Sequence, residues 1–366
     1  MKPRLRPHAW AARVMLAAAF VAALAGCGAR NPHFDPARAH HTPEGFRNPN
    51  DVANPGFAAF LRWKWDRLWQ AMAPDNPGRV PVTALDPSAL HKPESGWRVS
   101  WIGHATVLLQ IDGLNLITDP VFSPRPAPLS GTGAERLVPL PLRLDDLPPI
   151  DAVLISHNHY DHLDEPTLRA LFGRGGGRTR FLVPLGVERW FAEQGIGPVT
   201  ALDWWRGATI ARNGDAVDID LVPAQHWSRR TLADTNRTLW GGYVVRGGGV
   251  SAYFAGDTGY GPHFGEIGRR YGGFDLAMIP VGCHEPRWFM GKQHVNPAEA
   301  ARAHLDLGAR YTLGIHWGTF RHCDEPADQP LDDLPPALAR SGIPPDRFEL
   351  WAIGERRRLA GNGFRR

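Results

Sequence analysis

The chain has 366 residues, with 41 Lys and Arg against 37 Asp and Glu. Four of the bases, Lys2, Arg4, Arg6 and Arg13, fall in the first 26 residues with no acid beside them, so the remainder carries 37 of each sign and offers no global electrostatic grip on nucleic acid. A chain that is 43% hydrophobic, with 14 Trp and 16 Phe, can bury a large core and is not disordered, while 40 Gly and 34 Pro predict many turns between short elements.

Residues 1–26 read as a secretory signal: a basic start, then the apolar run Val14 to Ala25, then Gly26. That run has 12 residues, too few to span a bilayer, which takes roughly 20. Its end, Leu24-Ala25-Gly26-Cys27, resembles the bacterial lipobox, so Cys27 is expected to become a lipidated N-terminus at a bacterial cell envelope. Gly28, a non-acidic residue after the Cys, points to the periplasmic side of the outer membrane by the sorting rule of enteric bacteria. Only Cys283 and Cys323 then remain, and a disulfide between them is disfavoured because neither sits in a Cys-dense framework.

Residues 27–54 are polar and Pro-rich and read as a tether followed by a poorly structured arm. In the extension 55–95, Phe57, Phe60, Leu61, Trp65, Leu68, Trp69 and Met72 fall at helical spacing with Arg62, Lys64 and Arg67 between them. Such a stripe predicts a helix packed on its own domain in preference to one lying on a membrane surface. From 96 to 356 a single layered α/β domain is expected. Its strand-like runs are Arg98–Ile102, Thr106–Ile111, Leu114–Thr118, Ala152–Ser156, Val217–Val222, Gly242–Val245, Val250–Ala255, Leu276–Val281 and Tyr311–Ile315. Helical stretches fall at 164–173, 186–194, 297–307 and 334–341, the third opening on Asn296 as cap and Pro297 in the first turn.

Directly after the fourth run comes Ser156-His157-Asn158-His159-Tyr160-Asp161-His162. Three imidazoles and a carboxylate at a strand exit are the ligand types that Zn²⁺ takes at about 2.0–2.2 Å. Alternate residues point the same way, so His157 and His159 can share one ion, with Asp161 and His162 offset toward a second. Other ligands are expected at other strand exits, and His226, Asp257 and His316 each follow an apolar run. His104, between two strands, reads as a residue orienting a ligand from behind.

These segments resemble the metallo-β-lactamase superfamily. From about Asn48 to Glu355 the chain is more narrowly similar to the N-acylphosphatidylethanolamine-hydrolysing phospholipase D family. The narrower likeness rests on Trp101-Ile102-Gly103-His104-Ala105-Thr106, 147–164, Asp203-Trp204-Trp205, Gln225-His226-Trp227, 255–260, Glu285-Pro286-Arg287-Trp288-Phe289-Met290, Gln293-His294-Val295 and 315–320.

The resemblance implies a four-layered αββα sandwich with two zinc ions at one edge, manganese and other divalent ions being open alternatives. His157, His159 and His226 would hold one ion, Asp161, His162 and His316 the other, and Asp257 would bridge. Two ions about 3.5–4 Å apart lower the pKa of a shared water from about 15.7 toward 7, and hydroxide attack on phosphorus would release an N-acylethanolamine and leave phosphatidic acid. Asp161 and His294 carry the expected catalytic parts, His294 as a donor to the reacting phosphate. Tyr160, Arg287, Trp288 and His294 are the expected substrate contacts. A phospholipid is the expected partner, with the membrane reached through Cys27; a homodimer is left open. A lactonase or a soluble-phosphodiester hydrolase on the same scaffold is the alternative. A non-catalytic metal-binding lipoprotein is the third reading, and it has no use for an open seven-ligand site.

Overall fold

The computed structural model describes residues 30–92, 95–129, 132–360 and 363–365. The leader and Cys27 lie outside them. Among the described residues, fifteen strands form two sheets. The first has the order β15-β14-β1-β2-β3-β4-β5-β6: β1 Trp97–Gly103, β2 Thr106–Ile111, β3 Leu114–Thr118, β4 Ala152–Leu154, β5 Arg180–Pro184, β6 Val199–Leu202, β14 Arg356–Ala360 and β15 Gly363–Arg365. The second has the order β13-β12-β11-β10-β9-β8-β7: β7 Arg206–Arg212, β8 Asp215–Val222, β9 Gly242–Gly247, β10 Val250–Phe254, β11 Phe274–Pro280, β12 Ala309–Ile315 and β13 Phe348–Glu349. The helices used below are α1 Phe57–Trp69, α2 Pro87–Leu90, α3 Glu165–Gly175, α4 Val187–Gln194, α5 His263–Tyr271, α6 Arg287–Met290, α7 Pro297–Leu307 and α8 Pro330–Ser341.

Strand periodicity explains the layering. On β2, Val107, Leu109 and Ile111 face the second sheet and share its core with Ile219, Leu221 and Tyr243. Leu108 points the other way, with Ile117, Val153, Phe181 and Val183, onto Leu168 and Leu171 of α3 and Val187 and Phe191 of α4. Residues buried on both faces account for runs that read as continuously apolar rather than alternating. Each fully buried Val, Leu, Ile or Phe contributes about 1.5–3 kcal/mol. On the far side, Phe264 and Ile267 of α5, Ala300 and Leu307 of α7 and Leu334 and Leu338 of α8 close the second sheet. The result is the expected αββα sandwich.

Four expectations need correction. The segment 30–54 has little regular structure but is pinned, with Asn48 Oδ1 accepting from the backbone N–H of His226 at 2.8 Å and His40 and His41 both reaching Asp203. The helix at 57–69 forms, yet most of its stripe does not pack on the domain, Phe60 being half-buried against the Trp63 cluster. Phe57 is 64% exposed, Leu61 51%, Trp65 62%, Leu68 72% and Trp69 74%. Spacings of four and three residues align these side chains on one outward face, while Trp63 alone is buried, stacked 5.0 Å from Phe289. The disfavoured crosslink is present: Cys283 and Cys323, with Cα atoms 5.0 Å apart, are disulfide-bonded. Finally, β5, β6, β7, β14 and α5 were not foreseen. In α5, Gly265 and Gly268 masked a helix whose Gly268 lets it approach α7 closely, since a Cβ there would stand 2.4 Å from the Asp306 carbonyl.

Candidate metal centre

Strand direction brings the site together. Strands β3, β4, β5 and β6 run parallel, as do β10, β11, β12 and β13, while β1 reaches the direction of β3, and β8 that of β10, through one intervening antiparallel strand. The segments after β1, β3, β4, β8, β10 and β12 therefore emerge at one edge. There the backbone turns sharply: His104, Asp119 and His316 have φ of 53°, 32° and 63°. Gly256, at φ 59°, lets the Asp257 turn pass the Ser156 side chain, which a Cβ would meet at 2.6 Å.

In one half, ring nitrogens of His157, His159 and His226 converge within 4.8 Å of one another. His157 Nε2 lies 2.8 Å and His226 Nε2 3.3 Å from His159 Nδ1. The remaining nitrogens are tied off. His226 Nδ1 donates to the Gln293 carbonyl at 3.0 Å, and His157 Nδ1 pairs with Ser156 Oγ at 2.9 Å, so each Nε2 faces the cluster. Burial holds all three imidazoles below their usual pKa, His226 at about 4. They are neutral, the form in which imidazole binds metal.

The other half joins His104, Asp161, His162 and His316. His162 Nδ1 meets Asp119 Oδ2 at 2.7 Å, which aims its Nε2 inward, and His104 Nε2 meets Asp161 Oδ2 at 2.9 Å. Asp119 is itself fixed by Ser156, from its N–H at 2.7 Å and its Oγ at 2.5 Å. Burial opposes charge here, but the carboxylates of Asp257, Asp161 and Asp119 keep His162 protonated well above the usual range, and Asp257 pushes His316 up to about 9. In turn, despite burial, His162 and His316 hold Asp257 well below the usual carboxylate range.

Asp257 stands between the halves. Its Oδ2 is 3.2 Å from His162 Nε2 and 3.9 and 4.0 Å from His226 and His157 Nε2, and its Oδ1 is 3.2 Å from His316 Nε2. A tetrahedral shell with bonds of about 2.0–2.1 Å spaces its ligand atoms about 3.3 Å apart, so these separations fit a metal ion. The donor set fits as well: His159 Nε2, His162 Nε2, Asp257 Oδ1 and both ring nitrogens of His316 are buried without a hydrogen-bond partner. Orphaned polar atoms of that density call for an ion.

The cluster floors a cleft of about 580 Å³ whose lining includes His159, Tyr160, Asp161, Asp257, His294 and His316. His294 Nδ1 lies 3.9 Å from Asp257 Oδ2, and its neighbours Asn296 and Glu299 cap α7 without using its ring. The cleft reaches Tyr160 but neither Arg287 nor Trp288. Arg287 instead holds the His294 loop, donating to the His294 carbonyl at 2.9 Å and to Glu299 at 2.7 Å. Trp288 is 45% exposed beneath Arg62, and its neighbours Phe289 and Met290 line the cleft. Sequence reasoning missed Asp119, which follows β3 as the other site residues follow their strands. It also missed Asn48, which no local pattern marks, and His322, whose Nε2 is 3.4 Å from Asp161 Oδ2.

Residues 114–317 match the model of the Beta-lactamase superfamily domain. The chain is 39% identical over 292 residues to N-acyl-phosphatidylethanolamine-hydrolyzing phospholipase D 1 of Caenorhabditis elegans, covering 76% of this chain and 81% of that one. It is 36% identical over 224 residues to the mitochondrial enzyme of the same name from Saccharomyces cerevisiae, covering 60% and 47%. In structure it is similar to an isothiocyanate hydrolase from Delia radicum gut bacteria, with a TM-score of 0.56 at 20% identity over 71% of this chain and 97% of that one. A metal-ligating edge on this sandwich, together with relatives named as hydrolases, makes the protein a metallo-hydrolase that belongs to the metallo-β-lactamase superfamily and, within it, to the N-acyl-phosphatidylethanolamine-hydrolysing phospholipase D relatives.

Proposed function

We propose that the protein is a phosphodiesterase of phospholipase D type that cleaves N-acylphosphatidylethanolamine into N-acylethanolamine and phosphatidic acid. The single observation carrying this reading is the cleft. The ligand cluster forms its floor, and the aromatic and apolar side chains of Phe60, Trp63, Trp227, Phe289 and Met290 line it as well. A charged phosphodiester beside acyl chains suits that division. His157, His159 and His226 would hold one zinc ion, Asp161, His162 and His316 a second, with Asp257 shared. When bound, the two ions supply hydroxide at neutral pH and neutralise charge on a phosphoryl oxygen. Asp161 is kept ionised against burial chiefly by His162 and is oriented by His104; His294, held from behind by Arg287, has its Nδ1 unpartnered and available to the phosphate.

Two features support a membrane setting. The outward face of α1, with Arg62, Lys64 and Arg67 on its flanks, has the composition of a helix resting on an anionic bilayer. The disulfide agrees with export to an oxidising compartment, and so with lipidation at Cys27 in a bacterial envelope.

Incubation of the purified protein with a panel of phospholipids and lactones in ¹⁸O-water, with products read by mass spectrometry, tests the reaction. N-acylethanolamine with the label in phosphatidic acid is expected; label in the alcohol, or lactone opening alone, overturns it. Replacing Trp65 and Leu68 with Ser removes two side chains of about 1.5–3 kcal/mol each. Binding to anionic vesicles should fall at least about tenfold, with turnover of a short-chain soluble substrate unchanged.

A further inference from the structure

The reading above leaves His322 unused. Its Nε2 is buried, lies 3.4 Å from Asp161 Oδ2 and has no hydrogen-bond partner, and the residue lines the same cleft as His294. The two imidazoles flank the cluster at different points. His294 neighbours His226, Asp257 and His316. His322 instead neighbours Asp161, His104 and Phe320. Unlike His294, which converges with His226 and Asp257, His322 is in no set of convergent ligand atoms among the described residues, and it lines the cleft with its Nε2 unpartnered.

The loop carrying it is fastened to the loop that leads to His294. Cys323, the next residue, is bonded to Cys283. Glu325 accepts from the backbone N–H groups of His284 at 2.6 Å and Glu285 at 3.0 Å, and the Asp324 N–H donates to the Glu285 carbonyl at 3.1 Å. Trp63 of α1 sits on this seam, donating its indole N–H to Asp324 at 3.0 Å and packing with Phe289, Met290 and Cys323. The two loops therefore form one crosslinked frame with a histidine at each end.

We propose that His322 is a substrate-contacting residue that hydrogen-bonds a phosphate oxygen from the Asp161 side of the cleft, and that the Cys283–Cys323 crosslink sets its position relative to His294. The inference rests on the phosphodiester reading and adds a recognition element to it. An imidazole placed there contacts a phosphate from the Asp161 side while His294 donates from beside Asp257 and His226, so a tetrahedral phosphorus centre is held at two of its oxygens. His322 binds substrate rather than metal, and so its removal leaves the ions in place.

The test uses the metal-loaded full protein and dihexanoyl phosphatidic acid, a short-chain product, with affinity read by calorimetry and metal content by mass spectrometry. His322→Ala should weaken binding about tenfold or more with metal content unchanged, and His322→Gln, which keeps a donor, should recover part of the loss. The paired substitution Cys283→Ser with Cys323→Ser should weaken binding in the same sense by a smaller factor. If both His322 variants bind within twofold of the parent, or if they lose metal, the assignment to substrate is wrong. Full affinity in the crosslink-free variant overturns the positioning role of the disulfide. If the parent protein itself binds neither this lipid nor inorganic phosphate, the phosphodiester reading falls and this inference with it.

Discussion

The two halves of the metal cluster solve the same problem by opposite electrostatics. His157, His159 and His226 are buried with no carboxylate of their own, and desolvation keeps them neutral. His162 and His316 are equally buried but face Asp161, Asp257 and Asp119, and those carboxylates keep them charged. In the second half the carboxylates favour protonated imidazoles, and those protons compete with a metal ion for the ligand nitrogens. Asp257 touches both halves, so the difference between them is set by which side its oxygens favour. Both oxygens lie closer to the charged half, at 3.2 Å to His162 and 3.2 Å to His316 against 3.9 Å to His226.

The harshest way to break that contrast is to remove Asp257. Asp257→Ala should take turnover to background and strip metal from the protein, because it deletes a ligand from each half together with the charge that offsets two cations. Elemental analysis that finds full metal content in the variant would show that Asp257 does not join the halves. His294→Ala should leave metal content and fold intact while lowering turnover by about 10²–10⁴-fold, the usual span for a general acid. A variant that turns over at the parent rate would remove His294 from the reaction, and one that loses metal would move it into the ligand shell.

How much of this could be seen in the sequence depends on how local the cause is. His157 to His162 were legible because a short strand, a turn and four of the ligand-type side chains fall within one short stretch. His226, Asp257 and His316 could be found by the same rule, since each follows an apolar run that must end at a sheet edge. The sandwich layers could be read where runs were apolar on both faces, but not at β7, whose residues are mostly exposed, nor at α5, whose two glycines argued against a helix. Asp119 obeys the strand-exit rule and was overlooked because a lone Asp after a strand is also an ordinary turn residue. The disulfide could not be inferred from residues 40 apart in the chain, because what pairs them is Glu325 reaching back to the His284 and Glu285 amides. Composition misled at Arg287, where a cation beside aromatic residues suggested a lipid headgroup and the structure spends it on Glu299 and the His294 carbonyl. The stripe on α1 showed amphipathicity correctly and left open what covers its apolar side.

Asp119 offers a gentler way to sharpen the contrast. It bonds directly to His162 at 2.7 Å, whereas its link to His157, whose ring nitrogen lies within 4.8 Å of the carboxylate, runs through Ser156. Asp119→Asn keeps its size and removes the charge that orients His162. Affinity for the ion at the carboxylate half should fall about 10–100-fold, the range for a partner that stands behind a ligand, while the ion at the three-histidine half stays bound. Stepwise loss of metal on titration with a chelator would read the two halves apart, and equal weakening of both would mean that Asp119 supports the whole edge rather than one ligand.

The effect that alters no residue tests the electrostatic contrast directly. His316, pushed up to about 9, carries a proton at neutral pH that a metal ion must displace, and His162 does the same. Raising the pH toward 9 weakens that competition, so affinity at the carboxylate half should climb about tenfold per pH unit for each proton displaced, the His316 contribution levelling off above about pH 9. His226, pulled down to about 4, is already neutral across this range, and His157 and His159 are likewise held low. Affinity at the three-histidine half should therefore be nearly flat from pH 6 to 8. Calorimetric titration of the metal-free protein in two buffers of different ionisation enthalpy counts the protons released with each ion. One or more protons should accompany one binding event and close to none the other. Equal release at both would mean that the halves titrate as a single unit, in which case Asp257 shares its charge evenly and the asymmetry of its distances has no energetic counterpart.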